Sequence, residues 1–286
     1  MALASCDSAV SSESSPLHVE YRGSDAAGPE TFLLVHGFGA SSYTWRHWTP
    51  ALERRGRVIL VDLKGFGASA KPDDGLYGPH DQVALLGALI ERDDPGHLTL
   101  VGHSFGGAIA LLTALAMSER ADHRLRRLVI VSGSVYPQRL PPFVTFARYP
   151  RLSAAALAVL GPKLVIRAAL RAVVADPACV DDRQVEAYAA ALRTREGVRA
   201  AMAAALQLVP ADISAIVDRY PRVEVPTLLL WGRHDRVVPL ATGARLAAVL
   251  PNARLEVLEA CGHVAHEEQP ERSLALLERF LAYGNG

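Results

Sequence analysis

One feature limits this chain's possible folds more than any other: a repeated alternation of two patterns. Short unbroken runs of apolar and β-branched residues recur at 31–35 (TFLLV), 58–62 (VILVD), 98–101 (LTLV), 128–132 (LVIVS), 227–231 (TLLLW) and 254–258 (RLEVL). Stretches of helical period lie between them, at 45–55, 79–91, 105–119, 240–250 and 270–283. A strand with one wet face alternates apolar and polar residues. A strand buried on both faces does not, so continuous runs predict parallel strands covered by helices on either side. The expected fold is therefore α/β, with a mostly parallel central sheet and right-handed crossovers. Residues 17–22 are expected to add an antiparallel edge strand.

The rhythm breaks once. No strand-like run stands between 132 and 227. Residues 135–221 instead hold short helical patterns split by Pro141, Pro142, Pro150, Pro162, Pro177, Pro210 and Pro221. Within 151–210, 38 of 60 residues are hydrophobic and 18 are alanine, an excess suited to an apolar underside over a cleft. The predicted organisation is a flexible serine-rich tail (1–16), a core built from 17–134 and 222–286, and a helical cap from 135–221.

Composition excludes several classes of function. Thirty basic and thirty acidic residues cancel, which argues against nucleic acid as a partner. No apolar stretch is long enough to span a membrane. The N-terminus lacks the basic and apolar regions of a secretory signal. Cys6, Cys179 and Cys261 are odd in number and lack metal-ligand spacing, so a reduced cytoplasmic setting is expected and no metal site.

The residues that carry chemistry stand at the ends of the strand-like runs. Gly102-His103-Ser104-Phe105-Gly106 follows one run directly and opens a small-residue helix. A tight strand-to-helix turn exposes a serine oxygen and aims a helix N-terminus at it, and flanking glycines avoid clashes in the turn. A nucleophilic serine needs a base, and the base needs an orienting acid. Asp235 follows the 227–231 run and His263 follows the 254–258 run, both at the sheet edge that holds Ser104. His234 and Glu259 are rivals. Glu259 stands too close in sequence to His263 to approach it from a neighbouring strand. His266, just before the last helical stretch, is expected at the surface.

An oxyanion needs two backbone N–H donors. Phe105, after the serine, and Phe38, in His36-Gly37-Phe38-Gly39, are the candidates. His36 is expected to be a buried histidine that pins this loop. The segment 62–69 (DLKGFGAS) contains G-x-G without the full dinucleotide fingerprint and is read as a tight structural loop. Phe38, Phe105, Tyr136 and Phe143 are candidate apolar walls of a substrate pocket. Cys261 is expected to be a small buried loop residue.

Taken in order, the HGFG loop, the D-x-x-G-x-G-x-S segment, the GHSFGG turn, WGRHDRVVP and CGHVAHEEQPE resemble the α/β-hydrolase superfamily over 31–283. They resemble in particular its cap-bearing branch of esterases, epoxide hydrolases, dehalogenases and carbon–carbon bond hydrolases. The resemblance implies no metal, no cofactor, and a cap inserted after the sixth strand. Epoxide hydrolases and dehalogenases of that branch carry aspartate where Ser104 stands. Its carbon–carbon bond hydrolases typically carry tryptophan where Val264 stands.

The expected function is a cofactor-free serine hydrolase that cleaves carboxylic esters bearing a hydrophobic acyl or aryl group. The catalytic residues would be Ser104, His263 and Asp235, and the partner a small apolar ester or ketone. One alternative is a carbon–carbon bond hydrolase of vinylogous diketones. A second, from another class, is a ligand receptor with vestigial turnover.

Overall fold

The computed structural model describes residues 15–137, 144–145 and 148–283. Most of the 1–16 tail, with Cys6, and the pocket candidate Phe143 lie outside the described residues. Seven strands form one sheet: β1 (His18–Arg22), β2 (Glu30–Val35), β3 (Gly56–Asp62), β4 (His97–His103), β5 (Leu125–Val131), β6 (Thr227–Gly232) and β7 (Ala253–Leu258). Their spatial order is β1-β3-β2-β4-β5-β6-β7. Only β1 runs antiparallel, pairing His18 with Asp62 at the edge, as its sequence suggests.

The parallel register fixes where chemistry can occur. Leu34 lies opposite Leu60 and Val101, Gly102 opposite Ile130, and Gly232 opposite Leu258. The loops leaving β2, β4, β6 and β7 therefore emerge at one edge. Alternate residues of each strand face opposite layers. Leu33, Val35, Leu100 and Ile130 pack under the helices Pro79–Asp93, Phe105–Glu119 and Leu240–Val249. Phe32, Leu34, Val101 and Val129 pack against Trp45, Trp48 and the helix Pro270–Tyr283. Both faces are dry, which is why the runs carry no polar alternation.

Two expectations change. The helical stretch 45–55 is a 3-10 turn, Ser42–Trp45, followed by a single α turn, Thr49–Leu52. Pro50 has no N–H and its ring would strike the carbonyl four residues back, so no helix runs through 46–50. The helical insertion follows β5, the fifth strand rather than the sixth, because a single edge strand precedes the parallel run among the described residues.

The insertion contains a long helix, Pro150–Val173, broken at Gly161 (φ 75°) and Pro162. The helices Asp182–Ala189, Arg195–Leu206 and Ile213–Val217 follow. Leu170, Val173, Val180, Val185 and Tyr188 form a small core of their own that reaches Ala40 and Val264. No helix of the described residues is long and apolar enough to cross a membrane.

Candidate active site

Ser104 ends β4 and begins the helix Phe105–Glu119 with φ 52° and ψ −116°, a strained conformation outside the usual helix and strand regions. The strain is held by packing and hydrogen bonds. Ser104 N–H donates to Val131 O at 2.9 Å, and Ser134 N–H donates to Ser104 O at 3.0 Å. A Cβ on Gly106 would come within 2.3 Å of His36 O and 2.4 Å of Val35 O. The helix thus approaches the end of β2 more closely than any side chain allows.

Three side chains from three strand ends meet in a line. Ser104 Oγ is 2.9 Å from His263 Nε2, and His263 Nδ1 is 2.9 Å from Asp235 Oδ2. The other carboxylate oxygen, Asp235 Oδ1, accepts from Val237 and Val238 N–H at 2.8 Å each. A carboxylate only accepts, so His263 Nδ1 carries the proton toward Asp235 and Nε2 is left to accept from the serine hydroxyl. All three residues are buried. The Asp235 carboxylate is thus buried and hydrogen-bonded through both oxygens beside the imidazole.

The two candidate oxyanion donors sit where their loops are tightest. Phe105 N–H belongs to the first helical turn, whose N–H groups have no intrahelical partner. Phe38 lies in a turn closed by Ala40 N–H to Gly37 O at 3.2 Å, with Gly39 at φ +72°. His36 is fully buried below this turn. Its Nε2 accepts from Leu63 N–H at 3.0 Å and its Nδ1 donates to Gly37 O at 2.7 Å, so it pins two loops as expected. Asp62, Gly67 and Ser69 build the structural loop read from the sequence, with Ala68 N–H donating to Asp62 Oδ2 at 2.8 Å.

A cavity of about 730 Å³ opens on Ser104 and His263. Phe38, Phe105 and Tyr136 line it, and the insertion supplies further wall, including Leu157, Ile166, Met202 and Val209. Among the described residues, none that lines it is Asp, Glu, Lys or Arg.

The rivals are placed elsewhere. His234 is exposed, and Glu259 is exposed and ion-paired with Arg233 at 2.7 Å. Cys261 is fully buried, and burial pushes its thiol above the ordinary range, away from the reactive thiolate.

His266 contradicts the surface expectation: it is completely buried. The short helix Ala265–Glu268 turns its ring onto Trp45, 4.5 Å between centroids, and onto Thr44, with Nε2 2.6 Å from Oγ1. Both contacts come from the other end of the chain, beyond the reach of local pattern. His103 completes a stack, 4.6 Å from His266 and 4.9 Å from His263. Its Nε2 donates to His263 O at 3.1 Å.

These buried imidazoles should make the fold acid-sensitive. Burial pushes His266 down to about 4 and holds His36 and His103 below the ordinary histidine value. In the unfolded chain each titrates near 6.5. As pH falls through 6.5 the unfolded state takes up protons that the folded state refuses, so stability drops until pH reaches the folded values. At pH 5, His266 alone should cost about 2 kcal/mol relative to pH 7. Urea unfolding at both pH values checks this, with His266→Asn expected to narrow the gap by that amount. An unchanged gap would mean that His266 is not held neutral.

Comparison with known proteins adds the family. A family model described as alpha/beta hydrolase fold matches residues 30–270. The chain is 34% identical over 272 residues to a 2-hydroxy-6-oxo-2,4-heptadienoate hydrolase of Pseudomonas putida, covering 90% of this chain and 91% of the relative. A meta-cleavage product hydrolase from Pseudomonas fluorescens superposes with a TM-score of 0.75 at 25% identity, covering 94% of this chain and 95% of that one. A thermophilic esterase from Thermogutta terrifontis superposes equally well, at 0.75 and 25%, with 94% of each chain covered.

Proposed function

The chain belongs to the α/β-hydrolase family, and from that premise we propose that it is a cofactor-free serine hydrolase of neutral carboxylic esters with a hydrophobic acyl or aryl group. Ser104 Oγ attacks the ester carbonyl carbon while its proton passes to His263 Nε2. Asp235 holds the tautomer that makes this possible and stabilises the imidazolium that results. The N–H groups of Phe38 and Phe105 receive the charge that develops on the carbonyl oxygen. Collapse of the tetrahedral species breaks the bond to the alkoxy oxygen, which takes the proton from His263 and leaves as the alcohol. Water then attacks the acyl-serine, giving its proton to His263, and the acid is released as Ser104 regains its hydrogen. Residues 135–221 act as the cap over 17–134 and 222–286, and supply the acyl-binding wall.

The observation that carries this reading is the lining of the cavity. A volume of about 730 Å³ suits a mid-sized organic substrate, and the described residues of its walls are mostly apolar and carry no Asp, Glu, Lys or Arg. A carboxylate bound there would lose its hydration without gaining a cation from the described residues.

That same point weighs on the second reading, a carbon–carbon bond hydrolase. It is supported by the Pseudomonas relatives, one of them named for a dienoate, an anionic compound. Val264, where such enzymes typically carry tryptophan, also favours the ester.

A panel of p-nitrophenyl esters tests the choice. Each added acyl methylene should raise kcat/KM about fourfold, the worth of its burial, until the cavity is full. Loss of a dienoate chromophore at a rate above that of the best ester would reverse the assignment.

A further inference from the structure

The proposed mechanism leaves one half-buried, densely hydrogen-bonded carboxylate unused. Glu268 lies five residues after His263, and its two oxygens are spent on main chain. Oε1 accepts from Gly262 N–H at 3.0 Å and from Val264 N–H at 3.1 Å. Oε2 accepts from Gly262 N–H at 2.9 Å and from Ala175 N–H at 2.7 Å. Gly262 and Val264 flank His263, and Ala175 belongs to the insertion, two residues beyond the long helix Pro150–Val173. The N–H of His263 itself donates to Val173 O at 2.8 Å. Three consecutive N–H groups around the imidazole are thus held either by Glu268 or by the insertion, and Glu268 ties the two together.

Packing says the same. A Cβ on Gly262 would lie 2.6 Å from Val173 O and 2.7 Å from Ala175 N, so the histidine loop and the end of the helix are in backbone contact. The neighbouring Glu267 adds a second tie, pairing with Arg46 and accepting from Thr44 Oγ1 at 2.7 Å and from Gln184 Nε2 at 3.1 Å. Its partners are side chains, so it joins insertion to core without touching the main chain of His263.

We propose that Glu268 is a positioning residue for His263, and that through it the seating of the cap sets the direction of the imidazole toward Ser104. The proposal rests on the assignment of His263 as the base. A carboxylate suits the task because it can accept from several N–H groups at once, each bond charge-assisted. An amide in its place keeps one oxygen and can serve either the loop or Ala175, but not both.

The test compares Glu268→Ala, Glu268→Gln and Gly262→Ala in the full-length protein. Glu268→Ala should lower kcat 10- to 100-fold while KM changes less than about threefold, since a misaimed base slows chemistry rather than binding. Glu268→Gln should recover part of the loss. Gly262→Ala, which wedges the same contact apart without removing the carboxylate, should reproduce it. The downfield proton resonance of His263 Nδ1–H should broaden or shift in all three, at temperatures where circular dichroism reports each variant folded.

This resonance separates the two readings. If Ser104→Ala hydrolyses esters like wild type, the serine mechanism fails, yet the spectrum still tests whether Glu268 orients His263. The proposal is overturned if Glu268→Ala keeps kcat within twofold and an unchanged His263 resonance. It is overturned equally if the loss of kcat in Gln and Ala variants merely tracks the fraction unfolded.

Discussion

Ser104→Ala should lose on the order of 10⁴-fold or more in turnover of a p-nitrophenyl ester, with a far smaller change in KM. The asymmetry follows from what the hydroxyl does. It contributes little to a cavity of about 730 Å³ with apolar walls, so ground-state binding survives its removal. In the proposed mechanism it is the atom that attacks, so the covalent route does not survive. Residual hydrolysis would reflect the backbone donors and the orientation of bound ester acting on water. Under the proposed mechanism Ser104 and His263 act as a unit, so the double variant Ser104→Ala/His263→Ala should be no slower than either single one. Stopped assays of product release with tight-binding controls for enzyme concentration measure both. A Ser104→Ala enzyme that turned over at the wild-type rate would remove the serine from the mechanism.

Gly106→Ala should damage both stability and activity through a single methyl group. The added carbon would meet His36 O at 2.3 Å and Val35 O at 2.4 Å, and neither carbonyl can yield without moving the end of β2. The helix Phe105–Glu119 must retreat instead. We expect a loss of about 3 kcal/mol or more, read as a fall in Tm of roughly 6–12 °C. Retreat of the helix also carries Ser104 and Phe105 N–H out of line, and a misplacement of about 1 Å costs roughly 10²-fold in rate. Gly39→Ala is the informative contrast. Its Cβ would meet nothing within 4 Å, and only the backbone at φ +72° resists it. It should cost about 1 kcal/mol. Equal losses in the two variants would show that close packing at Gly106 is not the reason for its glycine.

What could be read in the sequence was what local pattern encodes. The unbroken apolar runs announced strands buried on both faces, and parallel strands leave their following loops at one edge. Ser104, Asp235 and His263 could therefore be named together although 159 and 28 residues separate His263 from its two partners. The turn at Ser104 was legible because glycine is demanded by geometry there. What could not be read was the direction of side chains whose partners come from elsewhere. His266 looks like a surface residue before a helix until Trp45 and Thr44 arrive from the far end of the chain. Glu268 looks like an ordinary acid near a helix start, and only the return of Ala175 reveals its task. The stretch 45–55 misled because the helical period of its apolar residues outweighed the single proline that interrupts it.

The insertion leaves the sheet after β5 and rejoins it at β6, and these strands are direct neighbours, with Ile130 opposite Leu229. The two ends of the excursion therefore stay side by side whatever lies between them. Closing such an excursion becomes only slightly costlier as it lengthens, by about 0.6 kcal/mol per doubling. The insertion that walls the cavity can be shortened, extended or exchanged while the strands leading to Ser104, Asp235 and His263 keep their register. Under the proposed function, selectivity and chemistry would occupy parts of this chain that can vary independently. The contacts of Glu267 with Gln184 and of Glu268 with Ala175 mark the narrow seam along which any exchanged insertion must still fit.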